Sequence, residues 1–342
     1  MSKVNQLDLV IATLRTKPSF CKKNANIVRD FLLNRTGYTF SREIILEACK
    51  LVRNEFYNRN NTSVVKAKVT KEVAIAEPVD ILHNYKKDDK INTPGLYIIL
   101  PCVHVPFHNK VFWTALLKYI RCNNNHIEGI LIIGDFMDMN SLSAHDKNSV
   151  PIQGITLDFE YKEGNKALDE LDEAMGRKNY TKFYLFGNHE DRYFRTMKDI
   201  NNFKYGSSLL SPIDALKLKQ RGYSILSDWK NDSIKLGTHL ELVHGEYISL
   251  NSAKKHIDVY RKSIVYAHTH RISSYLEGQT AGYNIGFMGD LSSPAFGYAT
   301  RGMKSSWNNG FAIVHLNRDM FFNVQQIIWY DNSFYVGHEK YS

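Results

Sequence analysis

The chain has 342 residues, 43% of them hydrophobic, with 44 Lys and Arg against 35 Asp and Glu, a formal charge of +9. Its length suffices for one large core, or for a domain with a smaller companion, and no apolar run approaches the roughly 20 residues of a bilayer-spanning helix. The charge is uneven, because residues 1–71 hold 14 basic and 5 acidic side chains and so carry the whole excess. Such a surplus points to a polyanionic partner or to a merely soluble basic face.

Residues 7–15 and 25–34 show helical apolar spacing. A third helix is expected from Ser41, a good N-cap, to about Tyr57, through Ile44, Ile45, Ala48, Leu51, Val52 and Phe56. Thr36-Gly37-Tyr38-Thr39 makes a short turn between the second and third, so residues 1–60 read as a basic, helix-turn-helix-like module. On the third helix Arg42 and Arg53 project within about 20° of each other with Lys50 nearby, a candidate nucleic-acid-binding edge. A small bundle used for packing or oligomerisation is the alternative. Residues 61–94 are expected to be a linker with room for one strand, and residues 95–342 a second domain. The start, Met1 to Gln6, has no apolar signal region, and Cys21, Cys49, Cys102 and Cys122 form no CxxC pair. A cytoplasmic protein without disulfides and without membrane contact is the expectation.

From Leu96 onward, strand-like runs alternate with helical stretches at 110–122 and 157–175, and late β-rich runs follow at 311–314 and 320–329. This pattern predicts an α/β sandwich with sheets at its centre. Five runs end in a polar, ligand-capable residue. Leu96–Leu100 leads to Cys102 and His104, Gly129–Ile133 to Asp135 and Asp138, and Lys182–Phe186 to Asn188 and His189. Leu240–Val243 leads to His244, and Ser263–Tyr266 to His268 and His270. Gly187 is expected to let the chain turn sharply at a strand's carboxyl end, the place where open α/β sheets bind ligands. Asp, His and Asn converging there suit Mn, Fe, Zn or Ni, and with a bridging carboxylate a pair of such ions, a combination that hydrolyses phosphoesters. His83, His108, His126, His145, His239, His256, His315 and His338 read as surface or core filler, and Phe296 and Tyr298 as core packing, with the wall of a pocket as the alternative.

Taken in order, Cys-Val-His, Gly-Asp-Phe-Met-Asp, Gly-Asn-His-Glu, His-Gly and Ala-His-Thr-His resemble the calcineurin-like metallophosphoesterase superfamily over roughly residues 96–290. Gly-Asp-Phe-Met-Asp-Met-Asn-Ser-Leu-Ser and Gly-Asn-His-Glu-Asp-Arg are also similar to phage and bacterial members with an N-terminal helical segment. The resemblance implies an α/β/β/α sandwich preceded by a small all-α domain, and two divalent metal ions. It makes Asp135 the bridging carboxylate, with His104 and His270 at the first metal and Asn188, His244 and His268 at the second. His189 would face the scissile phosphate as general acid or charge stabiliser, and Asp138 would hydrogen-bond His189 and hold its tautomer. Arg192 would steady a phosphate, unless it merely lies on a solvated helix face.

The chain departs from the family pattern at Ala267, where Gly is usual, and at Cys102, where the family has an Asp ligand. A thiolate binds Zn or Fe, so Cys102 stands for a metal-selective site, for a weakened first site, or for a substitution that disables it. The resulting expectation is a phosphodiesterase or nuclease acting on nucleic acid or nucleotides. A phosphoprotein or monoester phosphatase is the first alternative. A catalytically impaired, nucleic-acid-binding regulatory protein is the second.

Overall fold

In the computed structural model the described residues are 3–17, 20–21, 23, 25–57, 89–143, 154–177, 179–198 and 210–342. Contacts divide the chain into two units, Met1–Glu77 and Pro78–Ser342. The division falls inside the predicted linker, most of which lies outside the described residues, as do its expected strand, His83 and His145.

The first unit contains α1 (Lys3–Arg15), α2 (Ala25–Thr36) and α3 (Arg42–Tyr57). Val10 and Leu14 of α1, Val28 and Leu32 of α2, and Ile44, Ala48 and Val52 of α3 close one buried core. Ser41 caps α3 as expected, its hydroxyl accepting from Ile44 N at 3.4 Å, which satisfies one of the amides that a helix start leaves open.

The second unit begins with β1 (Lys90–Ile91), β2 (Gly95–Leu100), α4 (Lys110–Asn123) and β3 (Ile127–Ile133). There follow α5 (Leu157–Met175), β4 (Thr181–Leu185), α6 (Asp191–Lys198), α7 (Pro212–Ala215) and β5 (Ser224–Leu226). Next come β6 (Ile234–Leu236), β7 (Leu240–Leu242), α8 (Ser252–Tyr260), β8 (Ser263–Tyr266), β9 (Ile272–Glu277) and β10 (Thr280–Ile285). The chain finishes with α9 (Arg301–Ser305), β11 (Gly310–Leu316), β12 (Phe322–Ile328) and the hairpin of β13 (Phe334–Val336) and β14 (Glu339–Tyr341).

Two six-stranded sheets result, ordered β12-β11-β2-β3-β4-β5 and β1-β6-β7-β8-β10-β9. Strands β2 to β5 run parallel, as do β7 and β8, whereas β11 returns antiparallel along β2. Alternate side chains of a strand face opposite sides of its sheet. Tyr97, Ile99, Leu131, Ile133, Phe183 and Leu185 therefore meet Leu236, Leu240, Leu242 and Val265 of the other sheet. Their neighbours Ile98, Leu100, Ile130 and Ile132 face α4 and α5 through Phe112, Leu116, Ile120, Leu168 and Leu171. Beyond the second sheet Ile264 and Tyr266 pack with Ala253 of α8. The layers are helix, sheet, sheet, helix. Strands covered on both faces read as unbroken apolar runs, which is why they stand out in the sequence.

Among the described residues no helix is long and apolar enough to cross a membrane.

Candidate metal centre

The five runs that end in ligand-type residues are β2, β3, β4, β7 and β8, and their carboxyl ends deliver those residues to one buried place. The loops after β2 and β3 are tied by main-chain bonds, His104 N to Asp135 O at 2.9 Å, Val105 N to Phe136 O at 2.8 Å and Asp138 N to Val105 O at 2.9 Å. His104, Asp135, Met139, His268 and His270 all take φ between 51° and 62°. That left-handed region costs a side-chain-bearing residue about 1–3 kcal/mol and persists where surrounding structure enforces it. Gly187 does not use it; its φ is not positive. The chain turns there as expected, Asp191 N donating to Gly187 O at 3.2 Å. A Cβ on Gly187 would overlap the Asp135 carboxylate, so glycine is required there for the close approach of two loops rather than for a left-handed backbone.

Three sets of donor atoms lie within 4.8 Å of one another: Cys102, His104 and His270; Cys102, Asp135 and His244; and His104, Asp135 and His189. Cys102 belongs to two of them. Its Sγ accepts the His268 amide at 3.2 Å, and burial, with Asp135 beside it, pushes the thiol well above its ordinary value. His104 Nδ1 bonds the Asp138 carboxylate at 2.9 Å, and its Nε2 stands 3.0 Å from His270 Nε2. His244 Nδ1 donates to the Ile133 carbonyl at 3.0 Å, so its Nε2 faces Asn188 Oδ1, 2.9 Å away, and Asp135 Oδ2, 3.3 Å away; burial would lower this imidazole, but the Asp135 carboxylate raises it above its ordinary value. Imidazoles that give one N–H to a carboxylate or carbonyl and turn the other nitrogen inward have the outer-sphere arrangement of metal-bound histidines. Electron-pair donors facing one another at about 3 Å are the arrangement that a shared cation relieves. The donor set fits a divalent metal.

Charge in the pocket agrees. Burial would raise the Asp135 carboxyl, yet the His244, His189 and His104 imidazoles hold it well below the usual range. Asp138 behaves likewise, burial being outweighed by His189, His104 and Arg192. Burial lowers His189 to about 4 and His268 to about 3, and it lowers His270 further with help from His104. These three rings are neutral at pH 7 and keep a lone pair.

His268 lies against His244, their rings 4.9 Å apart. His189 Nδ1 donates to the Asp138 main-chain carbonyl at 2.7 Å, while the Asp138 carboxylate stands 3.6 Å away. The expected side-chain bond from Asp138 to His189 is thus corrected: the carboxylate serves His104, and the carbonyl orients His189. Arg192 is no free surface residue. Its Nη1 donates to Asp138 O at 3.0 Å, and its Nη2 lies 3.3 Å from His189 Nε2. That Nε2 also faces Asp135 Oδ2, 3.9 Å away, so His189 borders the donor set from the Arg192 side.

Glu160 and Trp229 lie outside the sequence motifs, and Glu190, which ends Gly-Asn-His-Glu, gains no role from the resemblance. The Glu190 carboxylate, fully buried, accepts Asp135 N at 3.0 Å, Met137 N at 3.0 Å, Gly187 N at 2.9 Å and the Tyr184 hydroxyl at 2.9 Å. It locks the β3 and β4 loops together. Glu160 of α5 accepts Asn140 N at 2.6 Å and Ser141 N at 3.1 Å, holding the turn after Asp138. Trp229 lies beside His244 and His268, with ring centroids 5.8 and 6.1 Å apart. Phe296 is core as expected, whereas Tyr298 is 59% exposed and so does not fill the core. His108 and His256 are buried. In the first unit Arg42 and Lys50 are exposed, on a surface that also shows Glu43, Leu46 and Glu47; the Arg53 side chain lies outside the described residues.

No family model and no curated protein sequence matches the chain. Among solved structures it is similar to a single mutant of Vps29 from Entamoeba histolytica, at 15% identity and a TM-score of 0.37, over 70% of this chain and 96% of that one. It is similar to wild-type Vps29 complexed with Zn2+ from the same organism, at 14% identity and a TM-score of 0.36, with the same coverage. A mutant cold-active protein tyrosine phosphatase matches at 14% identity and a TM-score of 0.34, over 70% of this chain and 82% of that one. All three are distant likenesses.

Proposed function

We propose that the chain is a metal-dependent phosphoesterase of the calcineurin-like kind, acting on phosphodiesters of nucleic acid or nucleotides. The observation that carries this is the convergence of buried Cys102, His104, Asp135, His244 and His270 at parallel strand ends, with the outward nitrogens of His104 and His244 already committed. Cys102, His104, Asp135 and His270 would hold one ion, and Asp135, Asn188, His244 and His268 a second. Divalent ions there supply Lewis-acid charge and a hydroxide nucleophile at neutral pH. Glu190 and the main chain keep Asp135 in place. Arg192 is the fixed positive charge beside His189 and would meet a phosphate oxygen. His189, neutral in the free site, would take up its proton as the anionic phosphate arrives and then donate it to the leaving oxygen.

The preference for nucleic acid is supported by the basic surplus of residues 1–71; Glu43 and Glu47 beside Arg42 and Lys50 weigh against α3 as the contact. Hydrolysis of bis-p-nitrophenyl phosphate and of p-nitrophenyl phosphate, with added Mn or Zn, tests the reading. Faster diester turnover is expected. Faster monoester turnover would favour a phosphatase, and no turnover with metal bound would leave a binding protein.

A further inference from the structure

Aromatic side chains on the two sides of the centre differ in one respect. Beside His270, Phe287 stacks at 4.5 Å and Trp307 meets it edge-on at 4.5 Å. Those rings, with Phe296, are 0–8% exposed and serve as packing, and the exposed ring on that side, Tyr298, lies tilted against Trp307 at 6.3 Å. Beside His244 and His268 stands Trp229, which is only half-buried. Its turn, between β5 and β6, is braced by its own carboxylates. Asp232 Oδ2 accepts Asp228 N at 3.0 Å, Asp228 Oδ1 accepts Lys230 N at 3.3 Å, and Asp228 Oδ2 accepts Asn231 Nδ2 at 2.8 Å. The Lys230 ammonium lies over the Trp229 ring, 5.3 Å from its centroid. A braced, partly open indole at the edge of a phosphate-cleaving centre, with an exposed lysine over its ring, has the parts of a stacking platform: a π-face that a flat ring takes when the lysine swings aside, and an ammonium that then meets the adjoining backbone.

We propose that Trp229 stacks a nucleobase of the substrate and so selects base-bearing phosphoesters. The proposal rests on the phosphoesterase reading and narrows it. Trp229 contacts substrate in this scheme and is not a metal ligand.

The test is equilibrium dialysis of AMP, ribose 5-phosphate and O-phosphotyrosine against the full chain with Mn. Wild type is compared with Trp229→Ala, Trp229→Phe and Trp229→Leu, with metal content measured for each. Wild type should prefer AMP to ribose 5-phosphate. Trp229→Ala should bind AMP about ten-fold or more weakly, in the range of a single base–aromatic stack, with ribose 5-phosphate unchanged within about two-fold. If Trp229→Ala also loses metal, the Phe and Leu variants decide, since Phe keeps a π-face and Leu keeps only bulk. Retention of the AMP preference by Phe and its loss by Leu is the expected result. Equal loss for AMP and ribose 5-phosphate, no loss for either, or equal behaviour of Phe and Leu would overturn the platform. Tighter binding of O-phosphotyrosine than AMP would overturn the nucleobase assignment. Parallel assays with bis-p-nitrophenyl phosphate separate the two readings. Turnover without AMP preference removes only the platform, and AMP preference without turnover removes only the hydrolase.

Discussion

Cys102 occupies the place where two donor sets overlap, completely buried, with one amide hydrogen bond to its sulfur. Burial disfavours the free thiolate, so ionisation must be coupled to metal uptake, and a soft ligand there favours Zn over Mn. Cys102→Ser should lower metal affinity by at least about ten-fold, the lower end of what even an outer-sphere change costs. In cobalt-loaded protein it should also abolish a thiolate-to-metal charge-transfer band. Cys102→Asp should shift preference toward Mn, read by elemental analysis after competition. A cobalt spectrum identical in wild type and Cys102→Ser would exclude the sulfur from the ligand set.

Glu160 is a residue-scale case of a different kind. Burial, followed by the Asp138 charge, raises it from 4.5 to about 7, against its hydrogen bonds from Ser141 and Asn140. The folded chain therefore holds this proton more tightly than the unfolded one. Its contribution to stability is full below about pH 4.5 and is lost as pH rises through about 7. Relative to Glu160→Gln, the wild type should lose on the order of 2–3 kcal/mol of unfolding free energy between pH 4 and pH 8. Urea titrations at the two pH values measure the difference, and parallel curves for both proteins would refute the assignment.

At the scale of elements, the centre depends on how closely β3 and β4 bring their loops together. The parallel register pairs Ile133 with Leu185, so Asp135 and Gly187 emerge side by side and Glu190 clamps both. Gly187→Ala inserts a methyl group where the Asp135 carboxylate lies. A cost of about 1–3 kcal/mol in stability is expected, typical of overpacking, with a loss of metal content out of proportion to it. Isothermal titration with metal alongside thermal unfolding would show this. Full metal affinity in a folded Gly187→Ala protein would mean the loops separate freely.

At the scale of the molecule, the two units have separate cores, and the basic surplus falls in the first. Residues 1–71 carry all of the net positive charge. Their removal should flatten the salt dependence of DNA binding by about 0.9 in logarithmic slope for each phosphate that is no longer neutralised. Hydrolysis of a small chromogenic diester should be nearly unchanged. Equal binding by the shortened chain at every salt concentration would rule out the basic module as the DNA-binding surface.

Runs such as Leu96–Leu100 and Gly129–Ile133, buried on both faces, announce themselves in the sequence because nothing polar can interrupt them, and Cys102, His104 and Asp135 follow within a few residues. Local order along the chain was enough to find those ligand types and the layered α/β fold. It was not enough to pair His104 with Asp138, 34 residues away, or Glu190 with the Asp135 amide, 55 residues away. Those bonds depend on which strands become neighbours. Nor could it show that Trp229 comes to rest on two histidines, or that residues other than glycine take left-handed backbone just beyond β2, β3 and β8. A carboxylate or an indole looks the same in sequence whether it ends in solvent or against a metal site. Tertiary packing made that choice by burying some of these groups against partners that other strands supply.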